Sequence, residues 1–241
     1  MKRGLTMKRC LPLLLIASPL LVQAASAPAA IVIAAYGDST TAGVTSSGGR
    51  NIISKENEIS YLQQMLQQKY GPAVRIENHG SPGAQLTELI RSPVSWEQRM
   101  AQSDARIILI NYAINDARIY SAKNRPAGGQ ESPEDFNRTL TSLIKTARAH
   151  HKQVVLQQPN PLCGRAERWN VWPYVWQLNQ VAQQQQVPIV RQYQLIKQQD
   201  DWRSEMSADC IHPTKTLYKK KAEQTFELLS QQFDSVFKTT S

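Results

Sequence analysis

The chain has 241 residues, of which 41% are hydrophobic and 20% are charged, and it carries a formal net charge of +9. A chain of this length can bury one substantial core but is short for two domains, so we expect a single domain. The positive charge does not indicate nucleic-acid binding, because no binding motif and no interleaving of basic and aromatic residues accompanies it.

The N-terminal residues have the order of a secretory signal peptide. Basic residues come first, an apolar run over residues 11–22 follows, and small residues close the segment at residues 22–27. The run is too short, and too interrupted by Pro12 and Pro19, for a good membrane span, so a retained signal anchor is the lesser alternative. We expect residues 1–24 to be removed and residues 25–241 to form an exported domain, periplasmic or secreted.

Removal of this leader takes away four basic residues and no acidic residue, which lowers the formal net charge to +5. Four lysines cluster in one late helix, which we interpret as a solvated helix face: Lys215, Lys219, Lys220 and Lys221. A peripheral attraction to an anionic cell envelope stays open at this charge. The sequence gives no indication of the oligomeric state.

The first predicted strand ends at a short polar motif. Residues 30–35 form an apolar run, and after Tyr36 comes the tetrapeptide Gly37-Asp38-Ser39-Thr40. An apolar run stopped by glycine is typical of a buried strand that ends at the rim of a parallel sheet, where open α/β folds bind their ligands. Ser39 would then face a crevice, although a simple polar turn is the better explanation of the motif if it is taken alone.

Strands and helices alternate along the rest of the chain. Further strands are predicted at residues 74–77, 106–110, 154–156 and 187–190. Helices are predicted at residues 62–70, 86–90, from 132 onward, at 172–186 and after 212, with loops at 45–49 and 121–131. This alternation predicts an α/β fold, a three-layer α/β/α sandwich over a five-stranded parallel sheet.

Two of the three cysteines lie outside the predicted leader. Cys10 falls within the leader, which leaves Cys163 and Cys210 in the mature chain. Two remaining cysteines in an exported protein pair more often than they stay free. We therefore predict a disulfide between Cys163 and Cys210, which would tie the loop after the fourth strand to the loop that precedes the last helix.

Four stretches of the sequence together resemble the SGNH (GDSL) hydrolase family. They are residues 37–39, 78–83, 113–116 and 209–212, in the order that the family has them and each next to a predicted strand or before the last helix. The resemblance covers about the whole predicted mature chain. It implies a flavodoxin-like SGNH hydrolase fold and hydrolysis of a carboxylic ester or thioester through an acyl-serine, without a cofactor.

The resemblance also implies roles for individual residues. Ser39, Asp209 and His212 would be catalytic, and the oxyanion hole would consist of the N–H groups of Ser39 and Gly83 and the side-chain amide of Asn115. The chemistry supports these residue types, because a serine hydroxyl needs a base, and the base needs a neutral imidazole held in one tautomer by a carboxylate. Asp209 and His212 are three residues apart, so one turn can aim the carboxylate at the ring.

One departure from the family pattern bears on the site. Ala113 stands where the third block usually has glycine, and its methyl group could narrow the pocket or shift Asn115. Other chemistries fit less well, because the sequence contains no Gly-x-Ser-x-Gly elbow and no His-Glu-x-x-His motif, and the spacing of histidine and cysteine indicates no metal site.

The sequence favours short O-acyl esters as substrates, with carbohydrate O-acetyl groups as one class. An acyl thioesterase or lysophospholipase is the first alternative, and an inactive SGNH domain that binds acylated glycans is the second. An aromatic group could stack on a sugar, but we favour the core for most of its members: Trp169, Trp172, Tyr174 and Trp176. For Arg118 the default interpretation is a salt bridge at the rim.

Overall fold

A computed structural model describes residues 30–123 and 131–238 of the chain. The predicted signal peptide and residues 124–130 of the predicted loop lie outside the described residues. The strands in this part of the chain are β1 (Ile31–Gly37), β2 (Val44–Ser47), β3 (Arg50–Ile53), β4 (Val74–Gly80), β5 (Ala105–Asn111), β6 (Gln153–Gln157) and β7 (Ile189–Val190).

The α-helices are α1 (Ser39–Ala42), α2 (Glu58–Tyr70), α3 (Glu88–Arg91), α4 (Trp96–Gln102), α5 (Ile114–Tyr120), α6 (Pro133–Ala149), α7 (Trp172–Gln185), α8 (Gln192–Lys197), α9 (Lys215–Gln232) and α10 (Asp234–Lys238). Two 3₁₀ helices span Gly164–Trp169 and Trp202–Glu205. Helix α6 begins as the sequence predicts, because the Ser132 side chain accepts a hydrogen bond from the Asp135 N–H and Pro133 occupies the first turn.

Five strands form a parallel sheet in the order β4-β1-β5-β6-β7. Counted along the chain, this is the flavodoxin-like order 2-1-3-4-5. Helices cover both faces, so the predicted three-layer α/β/α sandwich is confirmed. Because β1 lies between β4 and β5, the carboxyl ends of these three strands meet at one edge, and the residues that follow them share a crevice.

The two helical layers follow from the alternation of side chains along β1. Ile31, Ile33 and Ala35 pack with α2, α9 and α10, whereas Val32 and Ala34 pack with α4, α6 and α7. A strand whose residues on both faces are apolar has to be covered twice. All five of these β1 side chains are almost completely buried.

A buried polar network holds α9 against α2 and the sheet. The carboxylate of Glu58 lies 3.0 Å from Nζ of Lys221 and accepts hydrogen bonds from Gln157, Gln192 and Thr225. Both charged groups are at most 1% exposed. The interpretation of the late lysine cluster as a solvated face is therefore wrong for Lys221, whose charge is neutralised inside the protein.

The predicted loop at residues 45–49 is instead part of a β-hairpin. Strands β2 and β3 pair in antiparallel fashion, and Gly48 and Gly49 form the two-residue turn with φ angles of +57° and +74°. Such turns need positive φ at both positions, which glycine adopts at little cost. Tyr218 of α9 donates a hydrogen bond to the carbonyl of Val44, and this contact fixes the hairpin beside the carboxyl edge of the sheet.

Candidate active site

The loop after β1 brings Ser39 to the carboxyl edge of the sheet. Asp38 caps α1, and its Oδ1 accepts hydrogen bonds from the N–H and the hydroxyl of Thr40 at 2.8 and 2.9 Å. Gly37 is required by space, since a Cβ there would lie 2.0 Å from Oγ1 of Thr41. Ser39 is the first residue of α1, so its own N–H has no acceptor within the helix.

The loop before α9 brings His212 to Ser39. Nε2 of His212 lies 2.8 Å from Oγ of Ser39, and Nδ1 lies 2.6 Å from Oδ2 of Asp209. His212 is 5% exposed and Ser39 is 8% exposed. With the Nδ1 proton donated to Asp209, the lone pair of Nε2 faces the serine hydroxyl. The three residues that the sequence predicts as catalytic thus form one hydrogen-bonded row.

The carboxylate of Asp209 is held in its ionised form. Burial raises the pKa of Asp209, but hydrogen bonds from the His212 ring and from the N–H groups of His212 and Ile211 outweigh burial, so the pKa lies below its ordinary value. An ionised Asp209 can stabilise a positive charge on the imidazole ring of His212.

The loop that carries Asp209 and His212 is fixed at several points. A disulfide joins Cys210 to Cys163, as predicted, and the N–H of Cys163 donates a hydrogen bond to the carbonyl of Cys210. The Asn160 side chain donates to the carbonyl of Ile211 at 2.9 Å. The disulfide therefore connects the loop after β6 directly to the residue that follows Asp209.

Gly83 and Asn115, which the sequence predicts as oxyanion donors, line a cavity that also contains Ser39 and His212. Gly83 has a φ of +86°, and no acceptor for its N–H is found among the described residues. Nδ2 of Asn115 donates one hydrogen bond to the carbonyl of Ala84 at 3.1 Å, and a second N–H remains on that nitrogen. Asn115 is 6% exposed and contacts the cavity. A donor from the loop after β4 and a donor from the first turn of α5 thus line the cavity that contains Ser39.

Ala113 adopts a conformation that explains why glycine is usual there. Its φ is +134°, in a region that residues with a Cβ rarely adopt. The methyl group is fully buried in the core and does not line the cavity that contains Ser39. The departure from the family pattern therefore costs backbone strain and does not narrow the pocket.

The Ala113→Gly variant is expected to be more stable by about 1 kcal/mol. Glycine releases strain on the order of 1–3 kcal/mol, and the lost methyl contacts and the larger entropy of the unfolded glycine chain offset part of this gain. Urea unfolding of the two proteins measures the difference. A less stable variant would mean that Ala113 carries little strain.

Asp116 and Glu131 form a buried carboxyl pair behind Asn115. Oδ1 of Asp116 accepts a hydrogen bond from the Leu86 N–H at 2.9 Å, and the carboxyl of Glu131 is close enough to act on the charge of Asp116. Both residues are at most 1% exposed. Burial raises the pKa of both carboxyls, and the nearby charge of Glu131 raises that of Asp116 further. Two neighbouring buried carboxyls that pair with no cation among the described residues favour a state in which one of them keeps its proton.

The Asp116→Asn variant is expected to gain stability relative to the wild type as the pH rises. A raised pKa means that the folded state binds more protons than the unfolded state. The stability from the protonated pair is therefore lost as the pH rises from the ordinary carboxyl pKa of about 4 through the raised one. Asparagine carries no charge at any pH, so this loss does not arise at position 116 in the variant. Denaturant unfolding from pH 4 to 8 measures this, and parallel curves for the two proteins would exclude a shared proton.

A cavity of about 370 Å³ opens over Ser39 and His212. Hairpin residues Ile52 and Ile53 line it, although these side chains are 52% and 65% exposed. Arg118 and Trp169 line another part of it. The hairpin wall was not predicted from the sequence, although the adjacent glycines Gly48 and Gly49 are a turn signal that could have indicated it.

The tryptophans are mostly not core residues, contrary to expectation. Tyr174 is buried, but Trp172 and Trp176 are 45% and 48% exposed, and Trp169 is partly exposed in the cavity wall. Arg118 makes no salt bridge among the described residues and lies instead over the ring of Trp169, 6.0 Å from its centre. The helical spacing of these aromatic residues could not distinguish the inner from the outer face of α7.

The described part of the chain lacks two other kinds of feature. No group of three or more histidine, cysteine, aspartate or glutamate side chains there could hold a metal ion. No helix within residues 30–123 and 131–238 is long and apolar enough to cross a membrane.

A parallel sheet with this strand order, carrying a serine and a histidine in contact at its carboxyl edge, is the architecture of SGNH hydrolases. The sequence profile of the GDSL-like lipase/acylhydrolase family matches residues 35–220. The chain therefore belongs to this family, and it is a carboxylic ester hydrolase of the GDSL type. No curated protein sequence gives a significant match.

Solved structures with the same fold include esterases and related enzymes. The acetylxylan esterase Axe2 from Geobacillus stearothermophilus has a TM-score of 0.66 and 18% identity, over 84% of this chain and 95% of that chain. A lipase/acylhydrolase from Enterococcus faecalis has a TM-score of 0.65 and 16% identity, over 84% and 96% of the two chains. TesA has a TM-score of 0.62 and 20% identity, over 83% and 98%. At identities this low, the structural similarity shows that the fold is shared and no more.

Proposed function

We propose that the protein hydrolyses esters through an acyl intermediate on Ser39, with His212 as general base and acid and Asp209 as its orienting partner. The observation that supports this most strongly is the 2.8 Å contact between Oγ of Ser39 and Nε2 of His212. A serine hydroxyl becomes a useful nucleophile when a neighbouring base accepts its proton, and the ionised Asp209 stabilises the imidazolium that results.

The reaction proceeds in two halves. In the first, Ser39 attacks the ester carbonyl carbon while His212 takes its proton, and His212 then gives that proton to the departing alcohol. In the second, His212 removes a proton from a water molecule, which attacks the acyl-serine; His212 then returns the proton to Oγ of Ser39 as the carboxylic acid is released. In both halves the negative oxygen accepts hydrogen bonds from the N–H groups of Ser39 and Gly83 and from the Asn115 side chain, each worth about 3 kcal/mol.

We infer that short O-acyl groups on carbohydrate are the preferred substrates. Trp169 supports this, because a partly exposed indole in the cavity wall offers a flat face on which a sugar ring can stack. A solved protein with the same fold is an acetylxylan esterase, which agrees with this substrate class.

A longer acyl chain is the second candidate. Ile52 and Ile53 form an exposed apolar wall beside Ser39 and could cover several methylene groups, as a thioesterase or lysophospholipase would require. A panel of 4-nitrophenyl esters from acetate to palmitate separates the candidates. An optimum at acetate is expected, and rates that rise toward palmitate would favour the second candidate. No hydrolysis by the wild type would favour an inactive domain that binds acylated glycans.

We also propose that residues 1–24 are a signal peptide and that residues 25–241 act outside the cytoplasm. The disulfide between Cys163 and Cys210 supports export, since such bonds persist mainly in oxidising compartments. N-terminal sequencing of the protein recovered from the periplasm or the medium should begin at Ala25. A mature protein that still begins at Met1, or at Met7 if translation starts there, would contradict cleavage.

A further inference from the structure

We propose that the protein binds O-acyl esters of acidic carbohydrates and that Arg118, Lys123 and Arg168 hold the carboxylates of these substrates. This inference rests on the ester hydrolysis proposed above. A second cavity, of about 620 Å³, lies between the end of α5 and the 3₁₀ helix at Gly164–Trp169. It shares Arg118 and Trp169 with the cavity over Ser39. A bound substrate whose ester carbonyl lies at Ser39 can therefore extend past Arg118 and Trp169 into the second cavity.

Among the described residues, three cationic side chains and no acidic side chain line the second cavity. Its charged side chains are those of Arg118, Lys123 and Arg168. None of the three makes a salt bridge within the described residues, whereas the nearby Arg203 is paired with Glu167. The sequence of residues 124–130, outside the described structure, contains one arginine and no acidic residue. Three neighbouring cations without counter-ions attract an anion that can approach all of them.

The residue types favour a carboxylate on a sugar ring. The planar guanidinium of arginine can donate two parallel hydrogen bonds to one carboxylate. Trp169 lies between the two cavities with Arg118 6.0 Å from its ring centre, so a flat apolar face and a cation are next to each other. A uronic acid residue presents the same pair of features, a ring face and a carboxylate. The phosphate of a lysophospholipid would meet the cations but would leave the indole face without a partner.

The test compares two substrates that differ only in charge. One is an O-acetylated oligomer of a hexuronic acid, and the other is the same oligomer with its carboxyl groups reduced to alcohols. The measured quantity is the ratio of kcat/KM for the acidic oligomer to kcat/KM for the neutral one. For the wild type the ratio is expected to be about 10 at low salt and to approach 1 in about 0.5 M salt, where exposed charges are screened.

The Lys123→Glu/Arg168→Glu double variant is expected to lower this ratio by about tenfold or more, because two attractions become repulsions. The matched control is Lys145→Glu/Lys219→Glu, which changes the net charge equally at exposed positions on α6 and α9 that line neither cavity. The control should keep the wild-type ratio within about twofold, since a local charge and not the overall field decides binding.

Three outcomes would overturn the proposal. They are a wild-type ratio near 1, an equal fall in both double variants, and a higher kcat/KM for an anionic lysophospholipid than for the acidic oligomer. If the ratio is near 1 but hydrolysis still depends on Ser39, the acidic-substrate proposal fails while the proposed ester hydrolysis stands. If the wild type hydrolyses no ester at all, including 4-nitrophenyl acetate, the proposed ester hydrolysis fails as well.

Discussion

Replacement of Ser39 by alanine is expected to lower kcat for ester hydrolysis by about 10⁴–10⁶-fold, the loss seen when a serine nucleophile is removed from a unit of this kind. The reason is the chain of hydrogen-bond contacts in which Oγ of Ser39 meets Nε2 of His212 and Nδ1 of the same ring meets Oδ2 of Asp209. His212→Ala should cost a similar factor. The double variant should be no worse than either single variant, because the two groups act as a unit.

Steady-state kinetics with 4-nitrophenyl acetate measures these losses, and circular dichroism checks that each variant is folded. Ser142→Ala is the matched control, because Ser142 is an exposed serine on α6 and lies away from the cavity. Ser142 and Lys145 also form a Ser-x-x-Lys pattern, which supplies the nucleophile in penicillin-binding proteins, so the same variant tests whether Ser142 is the nucleophile. An Ser39→Ala variant that keeps a tenth or more of the wild-type kcat would exclude Ser39 as the nucleophile.

The Asn115→Ala variant is expected to lower kcat by about 10²–10³-fold with little change in KM. Asn115 contacts the cavity beside Ser39 and is held there by its hydrogen bond to the carbonyl of Ala84. A donor that meets negative charge only in the transition state contributes to kcat and hardly to substrate binding. The same truncation also leaves the Ala84 carbonyl without its donor, which costs about 1–3 kcal/mol of stability.

The control for this stability effect is Asn137→Ala. Nδ2 of Asn137 donates to the Gln177 side chain, and neither residue lines the cavity, so this variant loses one amide hydrogen bond without touching the site. Its kcat should stay near that of the wild type. If Asn115→Ala instead raises KM and leaves kcat unchanged, Asn115 binds the ground state and is not an oxyanion donor.

The elements that the sequence predicted well are those whose signals are local. The run before Gly37 predicts β1, because a strand buried on both faces has to be apolar throughout. Ser132 and Pro133 predict the start of α6, because capping depends on residues within one turn. The blocks around Ser39 and His212 were recognisable for the same reason, since each keeps its residues within a short stretch of the chain.

The features that the sequence did not reveal depend on distant partners. Glu131 comes next to Asp116 only in the folded chain, and Lys221 becomes buried only because Glu58 of α2 faces it. Trp169 lies in the cavity wall because the segment after β6 turns back toward α5. Hydrophobic periodicity carries no information about which face of an element a second, sequence-distant element will cover.

The central claim is that Ser39 is made nucleophilic by His212, and active-site labelling tests it most directly. A fluorophosphonate forms a stable adduct with an activated serine, and intact mass followed by peptide mapping finds the modified residue. One adduct per chain, on Ser39, is expected in the wild type, with labelling absent in Ser39→Ala and slowed by at least about 10³-fold in His212→Ala. An adduct on another residue, or equal labelling rates with and without the imidazole, would contradict the account.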